Sequence, residues 1–483
     1  MLAVALAALD VTVVATAMPT IVSELSGVAL YSWLVSIYLL AATTSTPLYG
    51  QLADNWGRKP IITFGIVLFL IASLLCSQAT TMTQLIVARG LQGLGAGAVM
   101  PMTMTIIGDL FPVAERAKYQ GLFGGVWGVS SIVGPALGAV ILKFWNWHGI
   151  FLINIPVGIA ALIMITKVYH EHNISKHRYV DVWGALLMTC GVASLMLALE
   201  RHSPISAGQY WPIGLAVACF ALLIPVERMV KSPFLPLDLL KRKIIGVGYL
   251  VALFGGVVQF GTSSFMPLFV QGAMGGTPTQ VGLTMAPVAI GWPLGSFLSG
   301  RMILNMGYKR VLAIGMAIGV VASSLLLLLT DQTQLASIMG IVFFVGLSLG
   351  LTSTPIIIAI QNAVEWNQRG IATSLNMFSR TIGGVIGVAI MGSMLNSRLA
   401  TYLSGTTLGG GHQAQDVIND LLDPTKRGGY SVELLHSVRH DLAGALNTTY
   451  ILPLVASIIA LILIVFAFPG GKVEKHQSEA KVS

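Results

Sequence analysis

Charge is what this chain has least of. Only 10% of its 483 residues are Asp, Glu, Lys or Arg, against about 25% in an ordinary soluble domain, so a soluble globular protein is excluded. Cysteine is scarce too. Cys76, Cys190 and Cys219 lie in apolar segments without metal or redox spacing, which argues against disulfides and zinc. No glycine-rich loop ending in Lys-Ser or Lys-Thr is present, so ATP is not the expected energy source. Gly93-Leu-Gly95-Ala-Gly97 lies inside an apolar run with no strand before it, so it is not a nucleotide loop. Ser, His and Asp are not clustered for catalysis, and the histidines fall mostly in loops (His170, His172, His177, His202, His412, His436, His440); no enzyme is expected. The net charge of +8 comes without a basic patch interleaved with aromatics, so nucleic acid is not an expected partner.

What the chain has in abundance is apolar sequence: 55% hydrophobic residues and a mean hydropathy of +0.81. Apolar runs of about 20 residues, enough to cross ~30 Å of hydrocarbon at 1.5 Å per residue, recur from end to end. Fourteen spans are predicted, near 2–22, 31–50, 61–80, 84–107, 117–142, 147–167, 181–200, 210–227, 244–270, 280–300, 309–329, 335–360, 371–394 and 448–468. Each must be helical, because lipid offers no partner to an open backbone. The first run lacks a positive n-region and contains Asp10, so it is read as a retained span rather than a signal peptide.

The distribution of basic residues supports the count. With the N-terminus in the cytoplasm, nineteen of the 27 Lys and Arg residues fall on the cytoplasmic side and six on the outer side. Arg89 and Arg380 fall within spans. That asymmetry is the positive-inside rule; a skipped helix would scramble it. Both termini are expected inside, in a multi-pass cell membrane protein. Two segments also repeat: Gly50-Gln-Leu-Ala-Asp54-Asn-Trp-Gly57-Arg58-Lys59 and, 250 positions on, Gly300-Arg301 to Gly307-Tyr308-Lys309-Arg310. A parallel repeat of two six-helix bundles is the build of a rocking transporter. The expected organisation is an N-terminal bundle (1–170), two inserted helices with a linker (178–243), a C-terminal bundle (244–470) containing an outer loop at 395–447, and a tail (471–483). A short amphipathic helix is expected within 413–445.

These residues resemble the fourteen-span drug:proton antiporters of the major facilitator superfamily over nearly the whole chain. Leu9-Asp10-Val-Thr12 to Pro19 is similar to that family's first-helix signature, and Gly50 to Lys59 to the loop motif of the superfamily. Leu85 to Gly95, with Arg89, Gly90, Gln92 and Gly93, resembles the fourth-helix motif. Gly134-Pro135-Ala-Leu-Gly138 resembles the antiporter motif of the fifth helix. The resemblance implies the major facilitator fold, an all-α polytopic membrane protein of two six-helix bundles plus two inserted helices. It also implies proton-coupled export of amphipathic drugs or toxic compounds by alternating access. Export or flipping of an endogenous lipid or metabolite by the same fold is the alternative. In the resembling family the first-helix Asp sits deeper in its helix, which leaves room for a short leader before Met1. Relatives that handle doubly charged cations often carry an acid in span ten, which has none between Gln280 and Gly300; monovalent, neutral or zwitterionic amphiphiles are expected here.

The residues carry their own argument. A carboxylate at membrane depth costs about 2.5–3.5 kcal/mol on insertion scales. Asp10 in a site that alternates between water and low dielectric can load and release a proton; near the surface it would only anchor its helix. Arg89 is its expected electrostatic partner, facing a polar cavity lined by Gln92; packing against backbone carbonyls is the other reading. Gly50, Asp54, Gly57, Arg58 and Lys59 form a tight turn in which Asp54 can cap the next helix and meet Arg116, locking an inner gate or simply anchoring topology. Gly134, Pro135 and Gly138 suit a bent, closely packed helix. Candidate cavity residues are Gln92, Trp127, Gln259, Phe265, Trp292, Asn376 and Arg380, with Trp33, Tyr38, Phe260 and Phe378 as further aromatic candidates; Arg380 can equally snorkel. Asn362 and Glu365 are read as substrate contacts at an inner mouth or as interfacial anchors. The proton gradient replaces any cofactor. The expected partners are a small amphipathic substrate, protons and the bilayer, and the expected state is a monomer.

Overall fold

The computed structural model describes residues 1–25, 31–171, 181–200, 211–230, 237–403 and 432–470; a few helix side chains, among them Pro19, Trp33 and Pro135, lie outside the described set. Among the described residues every regular element is helical. The helices are α1 Leu2–Glu24, α2 Tyr31–Trp56, α3 Arg58–Ser77, α4 Met82–Leu110, α5 Val113–Phe144, α6 His148–Leu152, α7 Asn154–Val168, α8 Val182–Glu200 and α9 Trp211–Met229. They continue with α10 Leu237–Lys241, α11 Lys243–Leu268, α12 Pro278–Met306, α13 Tyr308–Leu326, α14 Leu335–Asn362, α15 Arg369–Leu403, α16 Val432–Thr449 and α17 Ile451–Ile462. Short π-helical turns follow α11 and α17.

The predicted spans fall on helical segments, that near 147–167 on two helices, α6 and α7, and that near 448–468 on α17 with the π-helical turn after it. Among the described residues, nine helical runs are long and apolar enough to cross a membrane, and three shorter apolar runs include Leu2–Met18 and Trp211–Glu227. Local chemistry sets several starts. Thr81 accepts the amide of Gln84 and opens α4. Thr277 and Gln280 form a reciprocal capping box, with Pro278 as the first residue of α12, where its missing N–H costs nothing. The two repeated loops converge in backbone shape: Gly57 (φ 96°, ψ 158°) precedes α3 and Gly307 (φ 77°, ψ 166°) precedes α13. A positive φ is cheap only for glycine, and the two loops share one turn geometry.

The connection expected at 395–447 is shorter than the hydropathy suggested. α15 continues to Leu403 and α16 begins at Val432; residues 404–431, and with them most of the expected 413–445 helix, lie outside the described residues. α16 overlaps the end of the amphipathic helix expected within 413–445 and runs on to Thr449, with one apolar side. Val438, Leu442, Ala445 and Leu446 are buried at helical spacing, and the last three pack in one cluster with Phe269 and Val270 of the turn after α11.

Two compact units divide the chain, one of Met1–Tyr249 with Ile357–Phe378, the other of residues 250–356 with 379–470. In the first, one core joins Val13, Met18 and Ile21 of α1 to Leu85 of α4 and to Trp147 and Phe151 around α6. A second joins Leu6, Tyr38, Ile66, Phe69 and Met102. α2, α3 and α4 touch through glycines: a Cβ on Gly93 would lie 2.4 Å from the Tyr38 carbonyl, and one on Gly95 would lie 2.7 Å from the Gly65 carbonyl. The glycines of the fourth-helix motif are therefore close-packing positions. In the other unit, Phe265, Met266, Leu326, Val342, Met391 and Tyr450 form the main cluster.

Candidate functional site

Two buried charged clusters among the described residues of the first unit are both reached by α4. Arg89 and Asp109 stand twenty residues apart on that helix, about 30 Å at 1.5 Å per residue.

At the first, the Asp10 carboxylate of α1 is buried. Its Oδ2 accepts from Arg89 Nη1 at 2.6 Å, and its Oδ1 accepts from Gln92 Nε2 and Asn154 Nδ2, each at 2.8 Å. Arg89 Nη1 also donates to Gln92 Oε1 at 2.8 Å, and the guanidinium carbon stands 4.3 Å over the Tyr38 ring. Ser73 Oγ receives the remaining amide protons, from Gln92 at 2.7 Å and Asn154 at 3.2 Å. An ion pair taken out of water persists only when its remaining lone pairs and protons are also satisfied. Gln92 and Asn154 satisfy the second oxygen of Asp10 and Ser73 takes their remaining protons, while Arg89 Nε is buried without a hydrogen-bond partner. Gln92, expected to line a cavity, is occupied by this cluster. The antiporter-motif helix lies against the same stretch of α1: Thr12 donates to the Ser130 carbonyl at 3.0 Å, and a Cβ on Gly134 would meet Thr12 Oγ1 at 2.1 Å. Gly138 approaches Thr16 and the Val13 carbonyl in the same way. Pro135 sits in α5 between them, its side chain outside the described set.

The second cluster is built on the loop motif. Asp54 caps a helix, but α15 rather than the α3 expected to follow it: Oδ1 accepts from the Gly370 amide at 2.9 Å and Oδ2 from the Ile371 amide at 2.8 Å. The amides at a helix start carry partial positive charge and favour a carboxylate. Gly50 makes room, since a Cβ there would lie 2.5 Å from Ser374 Oγ and 2.8 Å from the Gly370 carbonyl. Arg58 is wholly buried. It pairs with Asp54 at 2.9 Å, donates to the Trp366 carbonyl at 2.6 Å and lies 3.8 Å over the Trp366 ring. Its Nε stands 3.2 Å from Asp109 Oδ2, an ion pair without hydrogen-bond alignment. Asp109 in turn accepts from Arg369 at 3.0 Å. The start of α3, left open by Gly57, is capped from a distance: Glu171 accepts the amides of Arg58 at 2.7 Å and Lys59 at 3.2 Å. Lys59 Nζ reaches the Thr166 carbonyl at 2.8 Å. Arg116 donates to the Phe111 carbonyl at 2.7 Å and to Asn362 Oδ1 at 2.9 Å.

The remaining candidates are more scattered. Trp127 is exposed on α5, and Asn376 is buried with its Nδ2 lacking a hydrogen-bond partner. In the second unit Arg380 and Trp292 come together, with the guanidinium carbon 6.0 Å from the ring centroid. Gln259 keeps a buried Oε1 without a partner, and Phe265 lies in the apolar core. Sequence reading overlooked Ser73, Asn154, Asp109, Glu171, Trp366 and the role of Arg369. Asp109 had a readable signal, as an acid ending an apolar run in a chain with only 19 carboxylates. Ser73 and Asn154 had none, being ordinary polar residues of apolar helices until Asp10 is placed beside them.

A family model described as Major Facilitator Superfamily matches residues 1–388. The chain is 37% identical over 403 residues to the multidrug transporter protein MdtP of Bacillus subtilis, an alignment covering 82% of this chain and 74% of that one. It is 31% identical over 477 residues to multidrug resistance protein 3 of the same organism, covering 96% and 93%. Its similarity to the multidrug efflux pump SdrM of Staphylococcus aureus is 29% over 391 residues, covering 80% and 86%. The fold is shared with the crystal structure of the human organic anion transporter MFSD10, at a TM-score of 0.59 and 14% identity over 94% of this chain and 97% of that one. With its all-helical build, its apolar spans and these similarities, this chain belongs to the major facilitator superfamily and is a membrane transporter, not an enzyme.

Proposed function

We propose that this transporter exports amphipathic drugs in exchange for protons, by alternating access, as a fourteen-span monomer of the cell membrane with both termini in the cytoplasm. The observation that carries the reading is the carboxylate of Asp10, buried in a helix and held by Arg89, Gln92 and Asn154. A group so placed is costly unless its charge is used. When the site opens to water on one side Asp10 takes up a proton, and the attraction to Arg89 weakens. When it opens on the other side the proton leaves and the ion pair re-forms. A monovalent cationic or neutral amphiphile competes for the unprotonated state. The names of the bacterial relatives, two multidrug proteins and an efflux pump, support drugs as the cargo.

The Asp54 cluster serves as the inner-side lock. Its hydrogen bonds to the start of α15, with the Arg58–Asp109–Arg369 ladder beside them, are held while the cytoplasmic side is closed and released when it opens. Charge-assisted hydrogen bonds contribute about 1.5–3 kcal/mol each, enough to bias an equilibrium that a proton and a substrate then tip. The test is dye efflux with a simultaneous internal pH readout in proteoliposomes. Dye export with stoichiometric proton entry is expected, and export indifferent to the proton gradient would refute the coupling.

A further inference from the structure

Asp10 Oδ1 receives two amide N–H donors, and the two amides differ in how firmly each is held. Gln92 is fixed at both ends. Its Nε2 donates to Asp10 and Ser73, while its Oε1 accepts from Arg89 at 2.8 Å and has the Cys76 thiol 3.8 Å away. Asn154 is held through its nitrogen, at Asp10 Oδ1 and Ser73 Oγ, and it is the first residue of α7. A carboxylate only accepts hydrogen bonds, so both amides must present nitrogen to it. A carboxylic acid carries one O–H that needs an acceptor. Once Asp10 Oδ1 is protonated, two N–H donors face a group that must itself donate, and a buried donor without an acceptor costs about 1–3 kcal/mol. Turning Gln92 would break its bond to Arg89. Turning Asn154 by half a rotation about its last side-chain bond breaks no bond to Arg89, and it puts an amide oxygen where the acid needs one.

We infer that Asn154 is the positioning residue for the proton cycle. It donates to Asp10 in the ionised state and reverses its amide to accept from Asp10 in the protonated state. The inference rests on the proton-coupled reading above. The chemistry is a proton transfer alone: water on the open side supplies the proton, one O–H bond forms at Oδ1, and the same bond breaks when the proton leaves to water on the other side. The electrostatically coupled groups of the cluster are Asp10, Arg89 of α4, Tyr38 of α2 and Cys76 of α3. α5, which also packs on α1, keeps its charged residues Glu115, Arg116, Lys118 and Lys143 in its first two turns and its last. α6, which packs on α1 and α3, carries His148, stacked on Trp147, and α7 has only Lys167, in its last turn. Asn154 is therefore the adaptable neutral partner.

The experiment uses the full chain in proteoliposomes with ethidium as the monovalent probe, and compares Asn154→Leu, Asn154→Asp and Asp10→Asn with the parent. Two rates are read: net efflux driven by a pH gradient, over a range of pH, and ethidium counterflow at equal pH. For Asn154→Leu the expected result is net efflux lower by about tenfold, with counterflow lowered clearly less than net efflux. Its half-maximal pH should move upward by about one unit, because the hydrogen bond lost from the charged carboxylate is stronger than the one lost from the neutral acid. Asn154→Asp keeps size and polarity and places a second acid beside the first; its half-maximal pH should rise further, and it answers the question if the leucine variant does not insert. An unchanged pH profile in the variants that insert overturns the inference. So does an equal loss of counterflow and net efflux at the parental profile, which marks a merely structural role. If Asp10→Asn loses coupling while the Asn154 variants behave as the parent, only this inference falls. If Asp10→Asn still exchanges ethidium for protons, Asp10 is not the proton site and this inference falls with that assignment; if the parent's efflux is indifferent to the pH gradient, the proton-coupled reading itself falls.

Discussion

Asp54 Oδ2 accepts the backbone amide of Ile371 at 2.8 Å across 317 residues of sequence. The loop motif therefore acts on a helix start far from its own place in the chain, and its charge matters as much as its shape. Asp54→Asn keeps one acceptor oxygen but loses the charge that favours the amide dipoles. Turnover should slow several-fold while substrate binding stays within about twofold. Efflux rates beside equilibrium binding of the same dye would decide it, and unchanged turnover would count against the lock.

Removing the acid of α1 is the more severe change. Asp10→Asn should insert and bind dye, yet show no proton entry linked to efflux. Arg89 loses its buried counter-ion in that variant, a situation that costs about 3–5 kcal/mol in buried pairs, so a lower melting temperature in detergent is expected as well. Wild-type coupling in this variant would remove Asp10 from the mechanism.

Gly57 answers two demands at once. Its φ of 96° is strained for other residues, and a Cβ there would lie 2.5 Å from Glu171 Oε2. Gly57→Ala should cost about 1–3 kcal/mol. Adding Glu171→Ala should recover only part of the loss, because it relieves the clash but leaves the backbone strain and removes the cap on α3. Melting temperatures of the two variants would separate the contributions; full recovery would show that φ is not the constraint.

At the contact of α1 with α5, Gly134→Ala should lower thermal stability by forcing the new methyl onto Thr12 Oγ1. Overpacking of this kind costs about 1–3 kcal/mol. Thr12→Ala in the same chain removes the nearest atom and should restore most of it, at the expense of the hydrogen bond to the Ser130 carbonyl. Equal melting temperatures for the single and double variants would mean the helices shift apart freely.

The Arg369–Asp109 pair is partly exposed on the arginine side, so solvent weakens it. A double-mutant cycle with Arg369→Gln and Asp109→Asn should give a coupling of about 1 kcal/mol in stability. A coupling near zero would leave Arg58 as the functional partner of Asp109.

Much of this protein was determined by sequence alone, and the reason is that lipid imposes local rules. Apolar runs such as 335–360 and 61–80 have to be helices because nothing in the bilayer can satisfy their backbones. The glycines at 57 and 307 announced a repeated turn because few other residues take a positive φ. Asp10, Arg89 and Asp54 stood out because charge inside or beside a span needs a cause. Partners were a different matter. That Asp54 caps α15 and not α3, that Glu171 caps α3 in its place, and that Ser73 and Asn154 complete the shell around Asp10 depended on which helices lie side by side. Hydrogen bonding reaches only about 3 Å, whereas the residues it joins here stand 82, 113 or 316 positions apart. α16 divides the same way: its amphipathic pattern was legible in part, as the helix expected within 413–445, while its place in the core depended on Phe269 and Val270 being there to cover it.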